Sequence, residues 1–269
     1  LEGRRGGGEA DEIEKEKGLS ELRGKTALVT GASRGIGQAT AIAFAKAGAA
    51  RLILHYGGHR AGAEETAAAA RAAGAEAEIV QGDLANDAGI SAFCGAIEGR
   101  EIDVLVNNAG SLVKRAKLLE STPELFDEVY NLNVKSAWFI AKAVAGGMIE
   151  RKSGAIVNLS SVAARHGGGP GAAIYSSAKA AVSCFTRGLA KELAPHGIRV
   201  NAVSPGTVDN HFHEVFSTQQ MLEAMKSQTP AGKLGSNEEI ADTIVFLCSE
   251  GGRFVYGQTI EVNGGLYMV

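Results

Sequence analysis

Cysteine is scarce. Cys94, Cys184 and Cys248 are the only three in 269 residues, and no two stand at C-x-x-C spacing. Neither a disulfide framework nor a thiolate metal site is expected, and the three read as small buried residues in a reducing compartment. The sequence also lacks a run of about 18 apolar residues, the length a membrane-spanning helix needs. A dominant charge is missing as well. Lys and Arg number 27 and Asp and Glu 30, a net charge of −3, which gives no electrostatic footprint for nucleic acid or an anionic membrane surface. The opening residues are charged and glycine-rich rather than apolar, unlike a secretory leader, so the cytoplasm is the expected location.

Glycine is abundant instead, 36 residues where a usual ~7% would give about half as many. Residues 1–23 form a polar tail of mixed charge. From residue 24 to 269 short apolar runs alternate with helical segments. The runs are Thr26–Thr30, Arg51–His55, Glu76–Gln81, Ile102–Val106, Ala155–Leu159, Ile198–Val203 and Gln258–Val262. Helices are expected between them, among them a long one from about Pro123 to Arg151 and another from about Ala173 to Ala194. The alternation predicts an α/β fold: one Rossmann-type, doubly wound domain with a seven-stranded parallel sheet and helices on both faces. The rhythm breaks only at about 207–235, read as a substrate lid with one short helical piece.

Between the first strand and first helix lies Thr30-Gly31-Ala32-Ser33-Arg34-Gly35-Ile36-Gly37. Glycines at this point let backbone N–H groups approach a pyrophosphate, whose charge the helix N-terminus stabilises. Tyr175 and Lys179, four residues apart, share a helix face. A cation beside a phenol favours the phenolate, which suits Tyr175 to general acid/base work on a carbonyl/alcohol pair. Ser161 lies just past the fifth strand, where a hydroxyl can meet a substrate oxygen; Ser160 is the competing candidate. A metal is not expected, since His211-x-His213 lacks a third convergent ligand nearby.

The glycine-rich turn, Asn107-Asn108-Ala109-Gly110, Tyr175-Ser-Ser-Ala-Lys179 and Pro205-Gly206 follow one another in an order and spacing that resemble the classical short-chain dehydrogenase/reductase family. Within it the chain is most similar to the 3-oxoacyl-[acyl-carrier-protein] reductases, from about residue 24 to the end. The resemblance implies a catalytic set of Asn133 (Asn131 as fallback), Ser161, Tyr175 and Lys179. It implies cofactor contacts from Gly31, Ser33, Arg34, Gly35, Ile36, Gly37, Tyr56, His59, Asp83, Leu84, Asn107, Ala109, Gly110, Tyr175, Lys179, Pro205, Gly206 and Val208. For Asp83 a helix-capping role is the plainer alternative. No acid follows the second strand until Glu64, whereas Arg34 stands ready for a 2′-phosphate, with His59 or Arg60 as a second donor. NADP(H) is therefore the expected cofactor. The expected substrate is a small carbonyl or alcohol, foremost a 3-oxoacyl thioester, with a sugar, polyol or cyclic ketone second. A silent NADP-binding scaffold would be expected to lose the Tyr or the Lys, and both are kept. The resemblance further implies a homotetramer, in which small residues such as Ala180, Ala181 and Ser183 permit close helix approach. In the lid, His211 and His213 are candidates for substrate contact, with Arg165 and His166 as a second polar wall.

Overall fold

The computed structural model describes residues 21–269. Seven strands form one parallel sheet in the order β3-β2-β1-β4-β5-β6-β7. The strands are β1 (Thr26–Val29), β2 (Arg51–Tyr56), β3 (Glu76–Gln81), β4 (Val104–Asn107), β5 (Gly154–Leu159), β6 (Ile198–Pro205) and β7 (Thr259–Val262). The central strands are continuous apolar runs because both faces are covered, while edge strand β3 alternates exposed Glu76 and Glu78 with half-buried residues.

Side chains alternate across the pleat. Ala27 and Val29 point to the face packed by α1 (Gly35–Lys46), α2 (Arg60–Ala72) and the later helix Asn237–Cys248, through Phe44, Ala67, Ala70, Ile240, Ile244 and Leu247. Leu28, Leu105 and Ile156 point to the opposite face, covered by α3 (Asp87–Ile97) and by the helices Ser136–Arg151 and Ala173–Leu193. Chain order reverses between β1 and β4, so the loops after these two strands diverge and leave a crevice at the carboxyl end of the sheet.

Three features differ from the sequence reading. Residues 1–20 of the expected tail lie outside the described residues, but Leu22 is buried in the core and its N–H donates to Ala47 O at 3.0 Å. The packed domain thus reaches back before residue 24. The expected helix from Pro123 to Arg151 is interrupted: α4 (Pro123–Tyr130) and α5 (Ser136–Arg151) are joined by a π-turn over Asn131–Lys135, with Ser136 N–H donating to Asn131 O. After β5 come the short α6 (Ala163–His166) and α7 (Ala173–Leu193). The lid segment holds two helices instead of one, α8 (His211–Phe216) and α9 (Gln219–Gln228), ahead of α10 (Asn237–Cys248). A bridge between Val208 and Gly235 ties the ends of this excursion together.

Candidate active site

The crevice is a cleft of about 570 Å³, within the usual range for a small-molecule site. Its floor is the glycine-rich turn. Gly31 takes φ +65°, and a Cβ there would stand 3.0 Å from Ala109 Cα. A Cβ on Gly37 would lie 2.3 Å from Gly31 O, so only glycine lets α1 begin this close to the turn. Thr30 fastens the turn to the end of β4: its hydroxyl accepts from the N–H groups of Asn108 and Ala109, both at 3.0 Å. Asn108 completes the brace by donating from Nδ2 to Thr30 O at 2.8 Å and Gly31 O at 3.1 Å. The opening N–H groups of α1 are thereby left at the cleft, with exposed Arg34 at its N-terminal boundary.

Of the sequence-expected cofactor residues, Gly31, Ser33, Arg34, Ile36, Asp83, Leu84, Ala109, Gly110, Tyr175, Lys179 and Pro205 line this cleft. Gly35 and Gly37 shape the turn beneath it. Tyr56, His59, Gly206 and Val208 do not line it; Tyr56 and Val208 are buried behind its walls. Arg60 is spent on Glu64, at 2.8 Å. For Asn107 the resemblance implies a mixed role, sheet stabilisation together with an adenosine-ribose contact, and its bonds serve the first: as the last residue of β4, outside the cleft lining, it donates from Nδ2 to Ala137 O at 3.1 Å and Asn158 Oδ1 at 2.9 Å. Asp83 does not cap α3, because Asn86 does so by accepting from Gly89 N–H at 2.9 Å. The carboxylate of Asp83 instead accepts from Ala85 N–H and Asn86 Nδ2.

Tyr175, Lys179 and Ser161 converge in the cleft, and Asn133 does not line it but lies buried beside Gly110. Ser161 lines the cleft with Tyr175, its Oγ accepting from Ala163 N–H at 3.2 Å, whereas Ser160 is buried and used up on Lys179 O at 3.0 Å and the Ser183 hydroxyl at 2.7 Å. Between the two serines, only Ser161 has its hydroxyl beside Tyr175. Lys179 Nζ donates to Leu159 O at 2.8 Å and sits 5.7 Å from the Tyr175 ring centroid. The expected lowering of the phenol is not what the packing produces. Burial pushes Tyr175 up to about 12, opposed by the Ser161 hydroxyl, and burial pulls the Lys179 ammonium down to about 8.

Asn133 occupies the π-turn, buried, with Nδ2 donating to Ser111 O and Val129 O at 2.8 Å each. Its Oδ1 is without a hydrogen-bond partner among the described residues. A Cβ on Gly110 would meet that Oδ1 at 2.6 Å and Lys179 Nζ at 2.9 Å, so both polar atoms face one small volume. Asn131, the fallback, is turned toward Ala85 O.

The lid supplies the roof. His211, Phe212, His213, Val215 and Phe216 line the cleft, and the Phe212 ring lies 5.7 Å from Tyr175 and 5.0 Å from Phe216. His213 shares a 2.9 Å hydrogen bond with Ser217 Oγ, and its imidazole is pushed down to about 4 by burial and by Arg115, against the pull of Asp209. Arg115, in the loop after β4, fastens the lid and was not singled out by the sequence: it donates to Phe216 O at 3.0 Å and Pro170 O at 3.1 Å, joining α8 to the Gly167–Gly171 loop. Arg165 and His166 do not form the expected second wall. Arg165 pairs with Glu261 at 2.7 Å and His166 accepts from Gly168 N–H, so neither lines the cleft.

A family model described as enoyl-(acyl carrier protein) reductase matches residues 31–267. The chain is 39% identical to the 3-oxoacyl-[acyl-carrier-protein] reductase of Pseudomonas aeruginosa over 250 residues, 92% of this chain and 99% of that one. Among solved structures it is similar to a protein assigned as an NAD(P)-dependent gluconate 5-dehydrogenase from Beutenbergia cavernae, with bound NADP. That match has 35% identity and a TM-score of 0.85, over 93% of this chain and 98% of the other. A 7α-hydroxysteroid dehydrogenase, complexed with NADH and a 7-oxo bile acid, matches with 30% identity and a TM-score of 0.85, over 93% and 96%. Sheet order, glycine turn and the Tyr-x-x-x-Lys face all lie within the matched length, and the chain belongs to the short-chain dehydrogenase/reductase family, oxidoreductases acting on alcohol/carbonyl pairs.

Proposed function

We propose that this protein reduces a ketone to a secondary alcohol with NADPH, foremost a 3-oxoacyl thioester. The convergence of Tyr175, Ser161 and Lys179 in a glycine-floored cleft, with Asn133 buried behind Gly110, carries the reading. The residues present fit the cofactor. The glycine turn leaves room where a Cβ would intrude, the first N–H groups of α1 suit a pyrophosphate, and Arg34 suits a 2′-phosphate that no acid at the end of β2 repels. When bound, the cofactor supplies the hydride. Tyr175, protonated at neutral pH, donates its phenolic proton to the carbonyl oxygen, and Ser161 holds that oxygen by a hydrogen bond. Lys179 provides the neighbouring positive charge, and Asn133 Oδ1, unpartnered among the described residues and facing the same small volume as Lys179 Nζ, is placed to accept from a water that returns the proton to Tyr175 by way of Lys179. The named activity of the Pseudomonas relative supports the thioester. A cyclic ketone is the second reading, favoured by the aromatic roof over Tyr175 and by the steroid ligand of one relative.

The test follows reduced-nicotinamide absorbance with a 3-oxoacyl thioester and a cyclic ketone as substrates. Tyr175→Phe is expected to lose at least ~10²–10⁴-fold in kcat while still binding NADPH. An active Tyr175→Phe enzyme refutes the proton assignment.

The assembly is proposed to be a cytoplasmic homotetramer. Trp138 and Phe139 on α5, and Phe246 of α10 with Phe254 beyond it, are exposed in the single chain and give two separate apolar faces for pairing. The three cysteines are unbonded, but only Cys248 is buried as the sequence suggests; Cys94 is half-buried and Cys184 exposed. No helix among the described residues is long and apolar enough to cross a membrane. Sedimentation at micromolar concentration is expected to show four chains; a monomer there refutes the assembly.

A further inference from the structure

His55 is the last but one residue of β2 and plays no part in the chemistry above, yet it is buried at the back of the cleft. Its strand lies between two others whose following turns form the cleft, and the ring touches both. Gly31 N–H donates to His55 Nδ1 at 3.0 Å, on the glycine-rich turn after β1. On the other side His55 Nε2 lies 3.0 Å from Gly82 O, in the turn after β3 that carries Asp83 and Leu84. These partners fix the tautomer: Nδ1 must accept, so Nε2 carries the proton and donates. Phe93 of α3 holds the ring edge-on at 4.6 Å between centroids. His55 O also accepts from Ala32 N–H at 2.8 Å, so both backbone and side chain of one residue hold the glycine turn.

We propose that His55 is a positioning residue for the dinucleotide: a neutral imidazole strut that sets the spacing between the glycine-rich turn and the Gly82–Leu84 turn. The inference rests on the cofactor reading given above. Burial keeps the imidazole neutral, pulling it down to about 4, as the strut requires, because a protonated ring would present a donor to the Gly31 donor. Its effect falls on the shared adenosine-pyrophosphate part of the ligand, so NADPH and NADH are affected alike. It does not touch the reacting atoms.

Three replacements separate the two contacts. In His55→Asn, Oδ1 takes the place of Nδ1 and can accept from Gly31; in His55→Gln, the amide reaches toward Gly82 instead; His55→Leu keeps neither bond. Calorimetric titration of the full chain with NADPH and with NADH is expected to show His55→Asn, which keeps the Gly31 bond and gives up Gly82, intermediate between wild type and His55→Leu. His55→Gln and His55→Leu are expected to bind both nucleotides roughly 5- to 12-fold more weakly, the equivalent of one neutral hydrogen bond. At saturating NADPH, kcat and the carbonyl KM are expected to stay within about 2-fold, a split that loss of general stability would not produce. If His55→Leu fails to fold, the Asn and Gln variants still decide the matter. Unchanged affinity in His55→Gln or His55→Leu, or a kcat loss at constant affinity, overturns the proposal. A wild-type chain that binds neither nucleotide overturns both this inference and the cofactor reading, whereas normal wild-type binding with insensitive variants overturns this inference alone.

Discussion

Lys179 is a buried ammonium with one backbone partner, and that arrangement has a measurable cost. Its pKa stands near 8 in the fold against 10.5 for a free lysine, because burial disfavours the charge. Between those values the unfolded chain binds more protons than the native one, so this residue makes stability rise with pH across the window. At about 1.4 kcal/mol per unit, the native charge costs about 3 kcal/mol at pH 7 and nothing above pH 10.5. Lys179→Met keeps the volume, removes the charge and gives up the bond to Leu159 O, a loss of about 1 kcal/mol. The variant is therefore expected to be more stable than wild type by about 2 kcal/mol at pH 7 and less stable by about 1 kcal/mol at pH 11, with the sign changing between pH 8 and 10.5. Urea unfolding of both proteins at several pH values and equal concentration, followed by Trp138 fluorescence, reads this difference directly. All other titrating groups are common to the pair and cancel. A stability difference that stays constant from pH 7 to pH 11 refutes the reasoning. The stability so gained would come with loss of carbonyl reduction, as expected where an active site holds a charge that the fold alone disfavours.

Two further outcomes concern selectivity. Arg34→Ala is expected to raise the KM for NADPH roughly 10- to 150-fold, the range of a charge-assisted contact, while leaving that for NADH nearly unchanged; equal turnover of wild type with both nucleotides would remove the basis for this. The double change His211→Ala/His213→Ala is expected to alter the ratio of kcat/KM between two ketones of different size and charge, since both imidazoles line the cleft beside the phenylalanine roof; a constant ratio with Tyr175-dependent activity intact excludes them from substrate selection.

The strands were legible because each is a short apolar run closed by polar or glycine residues, and helix-length segments between them leave only parallel pairing. The Tyr175/Lys179 face was legible for the same local reason, a helix spacing of four. What sequence could not supply was parity and depth. Ending β4 at Val106 would free Asn107 for the cleft; the strand runs one residue further, Asn107 pairs opposite Asn158, and the cleft-facing role passes to Asn108. His55 looks like the polar end of an apolar run, since its partners lie 24 and 27 residues away and only the fold unites them. Leu22 is one apolar residue in a polar stretch, and its burial depends on the Ala47 turn. The influence of Lys179 on Tyr175 was misjudged because adjacency on a helix says nothing of desolvation, which here dominates both groups.

The π-turn between α4 and α5 carries one residue more than a regular helix would, and this makes the segment sensitive to length. Deleting one residue of Asn131–Lys135 would restore ordinary helical hydrogen bonding and leave the two flanking helices close to their present registers, because the turn already absorbs the extra residue. Ile140, Val144 and Met148 would keep their places on the sheet. What would go is the widened turn that lets Asn133 reach both Ser111 O and Val129 O while its Oδ1 faces the Gly110 corner. A chain one residue shorter here would keep its core and lose the polar corner of the cleft, so the extra residue serves the site rather than the fold.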